Sequence, residues 1–139
     1  QFMSAALVCA ADRNFVDTNV QPPHRVLKLY YMVDSMDVVN LANEAFGGIS
    51  MEIDGVTRSH VGWADWQITT SLDNHQSMEQ VRRAILCHKS QLPGFGNLAE
   101  WSVAELGRIF NTGTFYRAFS LVNGGRKVET DLFEGLRSI

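Results

Sequence analysis

The sequence predicts an α/β or α+β domain in which helices and short strands alternate along the chain. Residues 26–33, VLKLYYMV, are apolar on both faces and rich in Val and Tyr, as in a strand buried on two sides. The pair Asp54-Gly55 separates two extended runs, which is a strong signal for a β-hairpin. Farther along, apolar residues in steps of three and four predict an amphipathic helix; these are Met78, Val81, Ile85 and Leu92.

The overall composition limits the partners that the chain can have. Its 139 residues, of which 45% are hydrophobic and 19% charged, suffice for one domain with a packed core. A net charge of −3 argues against a nucleic-acid-binding domain, which would show a basic face, so we expect no nucleic-acid partner. There is no apolar run of about 18 residues, so we expect no membrane-spanning helix. No repeat or linker divides the sequence, and we expect residues 1–139 to form a single domain or the C-terminal part of a larger one.

The first half of the chain contains a predicted helix, strand, helix and hairpin. Residues 1–11 form a helical pattern that no capping residue precedes, so we expect this helix to be cut from something longer. The strand at 26–33 is expected to need parallel neighbours, because it is apolar on both faces. Asp34 or Ser35 can cap the next helix, and the Gly-Gly pair at 47–48 stops it.

The second half contains a predicted strand, two helices, a strand and a terminal helix. Asp73 and Gln76 have capping-box spacing before one helix, and Asn97 and Glu100 have it before the next. The other predicted elements are a loop leading into a strand over residues 61–70, a strand over 114–121 and a short helix over 131–137.

His88 is the first candidate functional residue. It lies on the same predicted helix face as Met78, Val81 and Ile85, so its ring should point at the core or at a pocket floor. A buried histidine is most often simply hydrogen-bonded to its neighbours. The alternative is a ring that borders an active site, and the residues alone leave both interpretations open.

The other chemistry-bearing side chains lack a local motif. His24, His60 and His75 do not combine into HxH, HxxH or HExxH spacing, and surface roles are expected for them. Cys9 and Cys87 are each embedded in an apolar helical pattern, which predicts buried free thiols and a reducing, cytoplasmic compartment.

Five stretches of the sequence, in order, resemble one protein family. They are QFMSAALVCAAD, PHRVLKLYYMVDS, GWADWQITTSLD, QVRRAILCHKSQL and FYRAFSL. Together they resemble the C-terminal half of the LmbE/PIG-L family, the zinc-dependent N-acetylglucosaminide deacetylases. The most specific stretch is AILCHKSQ, residues 84–91, which is similar to the family's A-x-x-x-H-x-S-Q helix. The strand KLYY, residues 28–31, is the second.

The resemblance implies a Rossmann-like three-layer α/β fold, of which this chain would supply the C-terminal half. The β-hairpin would be an additional element that projects from this fold. It also implies that the intact parent protein uses zinc to hydrolyse the N-acetyl group of an amino-sugar conjugate. The family's metal motifs, A-H-P-D-D-E and H-P-D-H, are absent from this sequence. We therefore expect the metal ligands upstream of Gln1, no catalytic residue or zinc site in this chain, and no activity by the chain alone.

The resemblance further implies substrate-pocket or supporting roles for His88, Gln91 and Tyr30. Gln91 lies about one helical turn from His88 and is expected to orient its ring. Tyr30 and Tyr31 point to opposite faces of a strand, so at most one can face the pocket. The expected partners are an amino-sugar substrate and either further copies of the chain or a complementary N-terminal chain. The alternative hypothesis is a non-catalytic α/β binding or assembly module.

Overall fold

The computed structural model describes residues 2–15, 21–48, 50–125 and 127–137 of a mixed α/β chain. The regular elements, in chain order, are α1 (Phe2–Ala11), β1 (Lys28–Met32), α2 (Met36–Phe46), β2 (Ser50–Ile53), β3 (Val56–Ser59), β4 (Thr70–Asp73), α3 (Met78–Cys87), α4 (Val103–Phe110) and β5 (Thr112–Ser120). Four short 3-10 segments occur at Asp65–Gln67, His75–Ser77, Leu92–Phe95 and Leu98–Glu100.

The main sheet has three strands in the order β1-β5-β4, and both pairings are antiparallel. The long strand β5 follows α4 and lies between the two shorter strands. Strand β1 therefore has an antiparallel neighbour rather than the expected parallel ones. Strand β1 lies at one edge, and Tyr31 and Met32 are exposed. The expectation of burial on both faces is therefore wrong for the described part of the chain.

Two elements form where local sequence signals predict them. The Ser35 side chain accepts a hydrogen bond from the Val38 amide at 3.2 Å and caps α2, which ends at Gly47 in the left-handed conformation. Asp54 and Gly55 have φ values of 54° and 74°, as a type I′ hairpin turn requires. All residues of this β2–β3 hairpin are exposed.

Neither predicted capping box forms at the expected residues. Asp73 ends β4, so the strand expected within residues 61–70 begins only at Thr70. Helix α3 starts at Met78 without a side-chain cap. Residues 98–100 form a 3-10 segment, and the capping box of α4 is made by Ser102 and Glu105, which have the same sequence spacing as the predicted pair.

The terminal helix expected over residues 131–137 is also absent. These residues form successive turns, in which the amide of Glu134 donates to the carbonyl of Asp131 and the amide of Leu136 to that of Phe133. Gly135 has a left-handed φ of 82°, which interrupts a right-handed helix. Phe133 in this segment is largely exposed.

The hydrophobic core lies between α3, α4 and the 3-10 segment Leu98–Glu100. Its centre contains Met78, Leu98 and Leu106. Helix α4 packs against both α2 and α3 and buries Leu106 and Ile109 between them. Helix α1 differs, because none of its residues is buried. None of the helices in the described ranges is long and apolar enough to cross a bilayer.

Candidate ligand-binding site

A cavity of about 580 Å³ opens between the end of β1, the beginning of β5 and the helices α2 and α3. Most of its lining is apolar and includes Val33, Val38, Val39, Ala42, Phe46, Val81, Ile85, Leu92, Phe95, Ile109 and Phe110. Ligand pockets are typically mostly apolar, have volumes of about 300–1,000 Å³ and contain a few polar groups that orient the ligand. A few polar side chains lie among the apolar ones of this lining.

Asp34 and His60 form the first polar pair of the cavity. His60 Nε2 lies 2.7 Å from Asp34 Oδ2, and both side chains are about half exposed. The amide of Trp63 donates to the carbonyl of Asp34 at 2.8 Å, and the amide of Met36 donates to the carbonyl of Trp63 at 3.0 Å. These bonds hold the end of the hairpin against the chain that follows β1, which brings His60 to Asp34.

Gly62 permits this close approach. A Cβ atom at position 62 would lie 2.7 Å from the Cα atom of Met36, which is closer than real Cβ contacts. The next residue, Trp63, packs against the ring of Tyr116 on β5 with their centroids 5.2 Å apart. The sequence gives no local sign of the Asp34–His60 pair, because these residues are 26 positions apart and meet only through this crossing.

His88 and Gln91 form the second polar pair of the lining. His88 Nδ1 lies 3.3 Å from Gln91 Oε1, so the two side chains are hydrogen-bonded neighbours. The expected position within a helix is wrong, because α3 ends at Cys87 and His88 has a ψ of 53°, outside the helical range. His88 is exposed at the cavity wall rather than buried in the core.

Tyr30 lies elsewhere and does not line the cavity. Its hydroxyl donates to Glu129 Oε2 at 2.7 Å. This contact belongs to a buried cluster at the end of the three-stranded sheet opposite the cavity. Glu129 is 1% exposed and also accepts hydrogen bonds from Lys28 at 2.7 Å and Thr70 at 3.0 Å. The Arg117 guanidinium approaches it to 2.9 Å. Sequence reasoning missed Glu129, since no local pattern marks it.

The electrostatics of this Glu129 cluster indicate a structural role. Burial by itself would raise the pKa of Glu129, but hydrogen bonds from Lys28, Tyr30, Asn123 and Thr70 outweigh burial and lower this pKa from 4.5 to about 2. Burial by itself would lower the pKa of Lys28, but its contact with Glu129 raises it. A carboxylate and an ammonium that stabilise each other in this way join the C-terminal segment to the sheet.

The two cysteines are free thiols, as expected, but the expected burial is wrong for Cys87, which is exposed at the end of α3. Cys9 is half-buried. Zinc sites in proteins need three or four His, Cys, Asp or Glu ligands. Across the described ranges, no three such side chains are close enough to hold a metal ion. The described residues therefore do not fit a zinc site.

These features define a cavity with a largely apolar lining and two hydrogen-bonded polar pairs in its wall. In comparisons with protein-family models, curated proteins and solved structures, the chain matches none of them.

Proposed function

We propose that this chain is the C-terminal part of a zinc-dependent hydrolase that removes an N-acetyl group from an amino-sugar conjugate. One observation carries the proposal. His88 and Gln91, from the stretch that resembles the family's A-x-x-x-H-x-S-Q helix, are hydrogen-bonded to each other in the wall of the cavity. Both side chains are exposed at this wall, where they can contact a ligand in the cavity.

In this proposal the chain supplies one wall of the substrate pocket and binds and orients the substrate. The Rossmann-like three-layer architecture and the metal ligands belong to the intact parent protein, and the zinc would polarise the acetyl carbonyl and activate a water there. The free thiols of Cys9 and Cys87 are in keeping with a reducing, cytoplasmic compartment.

The surface of the chain supports its being part of a larger assembly. Phe2 and Val8 on helix α1 are 93% and 71% exposed. A helix that is apolar all round is normally covered by other protein.

The open edge of β1 supports the same proposal. In the described part of the chain, β1 pairs only with β5, and Met32 at its end is 80% exposed. An unpaired apolar strand edge favours association with another strand. A complementary N-terminal segment or a second copy of the chain would pair with this edge and cover α1.

The test is the intact mass and zinc content of the protein purified from its natural source, with sequencing of any peptide that precedes Gln1. We expect a longer chain that carries an H-P-D-H stretch within about one or two helical turns of Gln1 and binds zinc. A mass of 15.6 kDa with no bound zinc would contradict the proposal. It would favour the non-catalytic binding or assembly module instead.

A further inference from the structure

We infer that the cavity between β1, β5, α2 and α3 binds an apolar organic molecule through a protonated amine, and that it rejects the corresponding carboxylic acid. The inference rests on the proposed function in taking this cavity as the ligand site. It adds the charge and the polarity of the ligand, neither of which follows from the resemblance.

The size and lining of the cavity determine the body of the ligand. Its volume of about 580 Å³ is that of a pocket for a small organic molecule. Aliphatic side chains from α2 and α3, including Val38, Val39 and Ile85, face aromatic ones such as Phe46 and Phe95 across it. Such a lining leaves most of a ligand without hydrogen-bond partners. The part of the ligand inside the cavity is therefore apolar.

The charges in the lining determine the head group. Among the described lining residues, Asp34 is the only carboxylate, neither lysine nor arginine is present, and the two histidines are His60 and His88. One oxygen of this carboxylate, Oδ2, is bonded to His60, and the other accepts no hydrogen bond from the described residues. An ammonium group can donate to that free oxygen, whereas an anionic head would meet the like charge of Asp34, with no lysine or arginine in the described lining to offset it.

This preference agrees with the chemistry of the proposed reaction. Hydrolysis of an N-acetyl group breaks the amide C–N bond, transfers the water oxygen to the acetyl carbon and leaves acetate and a free amine. The amine is protonated at neutral pH. Asp34 would thus hold the ammonium group of the product and repel the acetate, while the apolar interior would take an apolar part of the conjugate rather than the hydroxyl-bearing sugar ring.

The test compares octylamine with octanoate, which have the same chain and opposite head-group charges, by calorimetric titration of the purified protein. We expect octylamine to bind at least about fivefold more tightly. Asp34→Asn should remove this preference. Asp65→Asn is the matched control, because Asp65 is an exposed carboxylate outside the lining, and it should leave the preference unchanged. Val38→Phe, which adds bulk to the cavity, should weaken the binding of both probes.

Equal or tighter binding of octanoate, or a preference that survives in Asp34→Asn, would overturn the inference. If Val38→Phe fails to fold, the two aspartate variants still decide the result, since both side chains are substantially exposed. The two proposals can also fail separately. Amine binding by a parent protein that does not deacetylate would contradict only the proposed function, and deacetylation without the amine preference would contradict only this inference.

Discussion

Removing the buried charge of Glu129 should destabilise the protein much more than removing a partly exposed charge nearby. The pKa of Glu129 falls from 4.5 to about 2, a difference of roughly 2.5 pH units. At about 1.4 kcal/mol per unit, ionised Glu129 contributes about 3 kcal/mol to the free energy of unfolding at pH 7. Glu129→Gln should remove this contribution and also leave Lys28 and Arg117 without their buried counter-charge.

The pH dependence has a definite sign. Because the folded-state pKa of Glu129 is depressed, its contribution is fully present above pH 4.5 and is lost as the pH falls from 4.5 to about 2. The assay is urea unfolding followed by tryptophan fluorescence at several pH values. The wild-type protein should lose stability across this window, and Glu129→Gln should lack that part of the loss.

Glu134→Gln is the matched control for this prediction. Glu134 belongs to the same C-terminal segment, and its carboxylate pairs at 2.9 Å with Lys127, whose side chain is 78% exposed. Pairs exposed to this extent contribute little, so we expect a change below about 1 kcal/mol. Equal destabilisation by the two variants, or an unchanged acid profile in Glu129→Gln, would refute the reasoning.

Three further variants test the packing around the cavity and the core. Gly62→Ala should cost about 1–3 kcal/mol, because the added Cβ meets the backbone of Met36, while Gly94→Ala, with open space around it, should be tolerated in the same unfolding assay. Leu106→Ala should cost about 2–5 kcal/mol by calorimetry, since Leu106 is 1% exposed at the core centre; a loss below about 1 kcal/mol would contradict that placement. Ser102→Ala should cost about 1 kcal/mol through the lost capping of α4, and an unchanged melting temperature would contradict that role.

Elements that depend on neighbouring residues were predictable from the sequence. The Ser35 cap and the Gly47 stop define α2, and the Asp54-Gly55 pair defines the hairpin, because each signal acts within a few residues. The cap of α4 shows where such reasoning fails. Asn97 and Ser102 are both followed by a glutamate at the same spacing, and only packing decides that the helix begins after Ser102.

Features that depend on distant contacts were not predictable. The pairing of β1 with β5 joins segments separated by most of the chain, and the Lys28–Glu129 pair joins residues 101 positions apart. The Asp34–His60 pair requires the crossing at Gly62. His88 and Gln91 were found because they are neighbours in sequence, although the helix that was expected to contain His88 ends one residue earlier.

The most direct test of the proposed deacetylase is acetate release from N-acetylglucosaminides by the zinc-loaded parent protein and its His88→Ala variant. We expect the parent to release acetate and His88→Ala to lose about 10–100-fold in kcat/KM, since His88 lies in the proposed pocket wall. His75→Ala, an exposed histidine outside the lining, should retain full activity. No acetate release by the parent, or equal activity in His88→Ala and His75→Ala, would contradict the account.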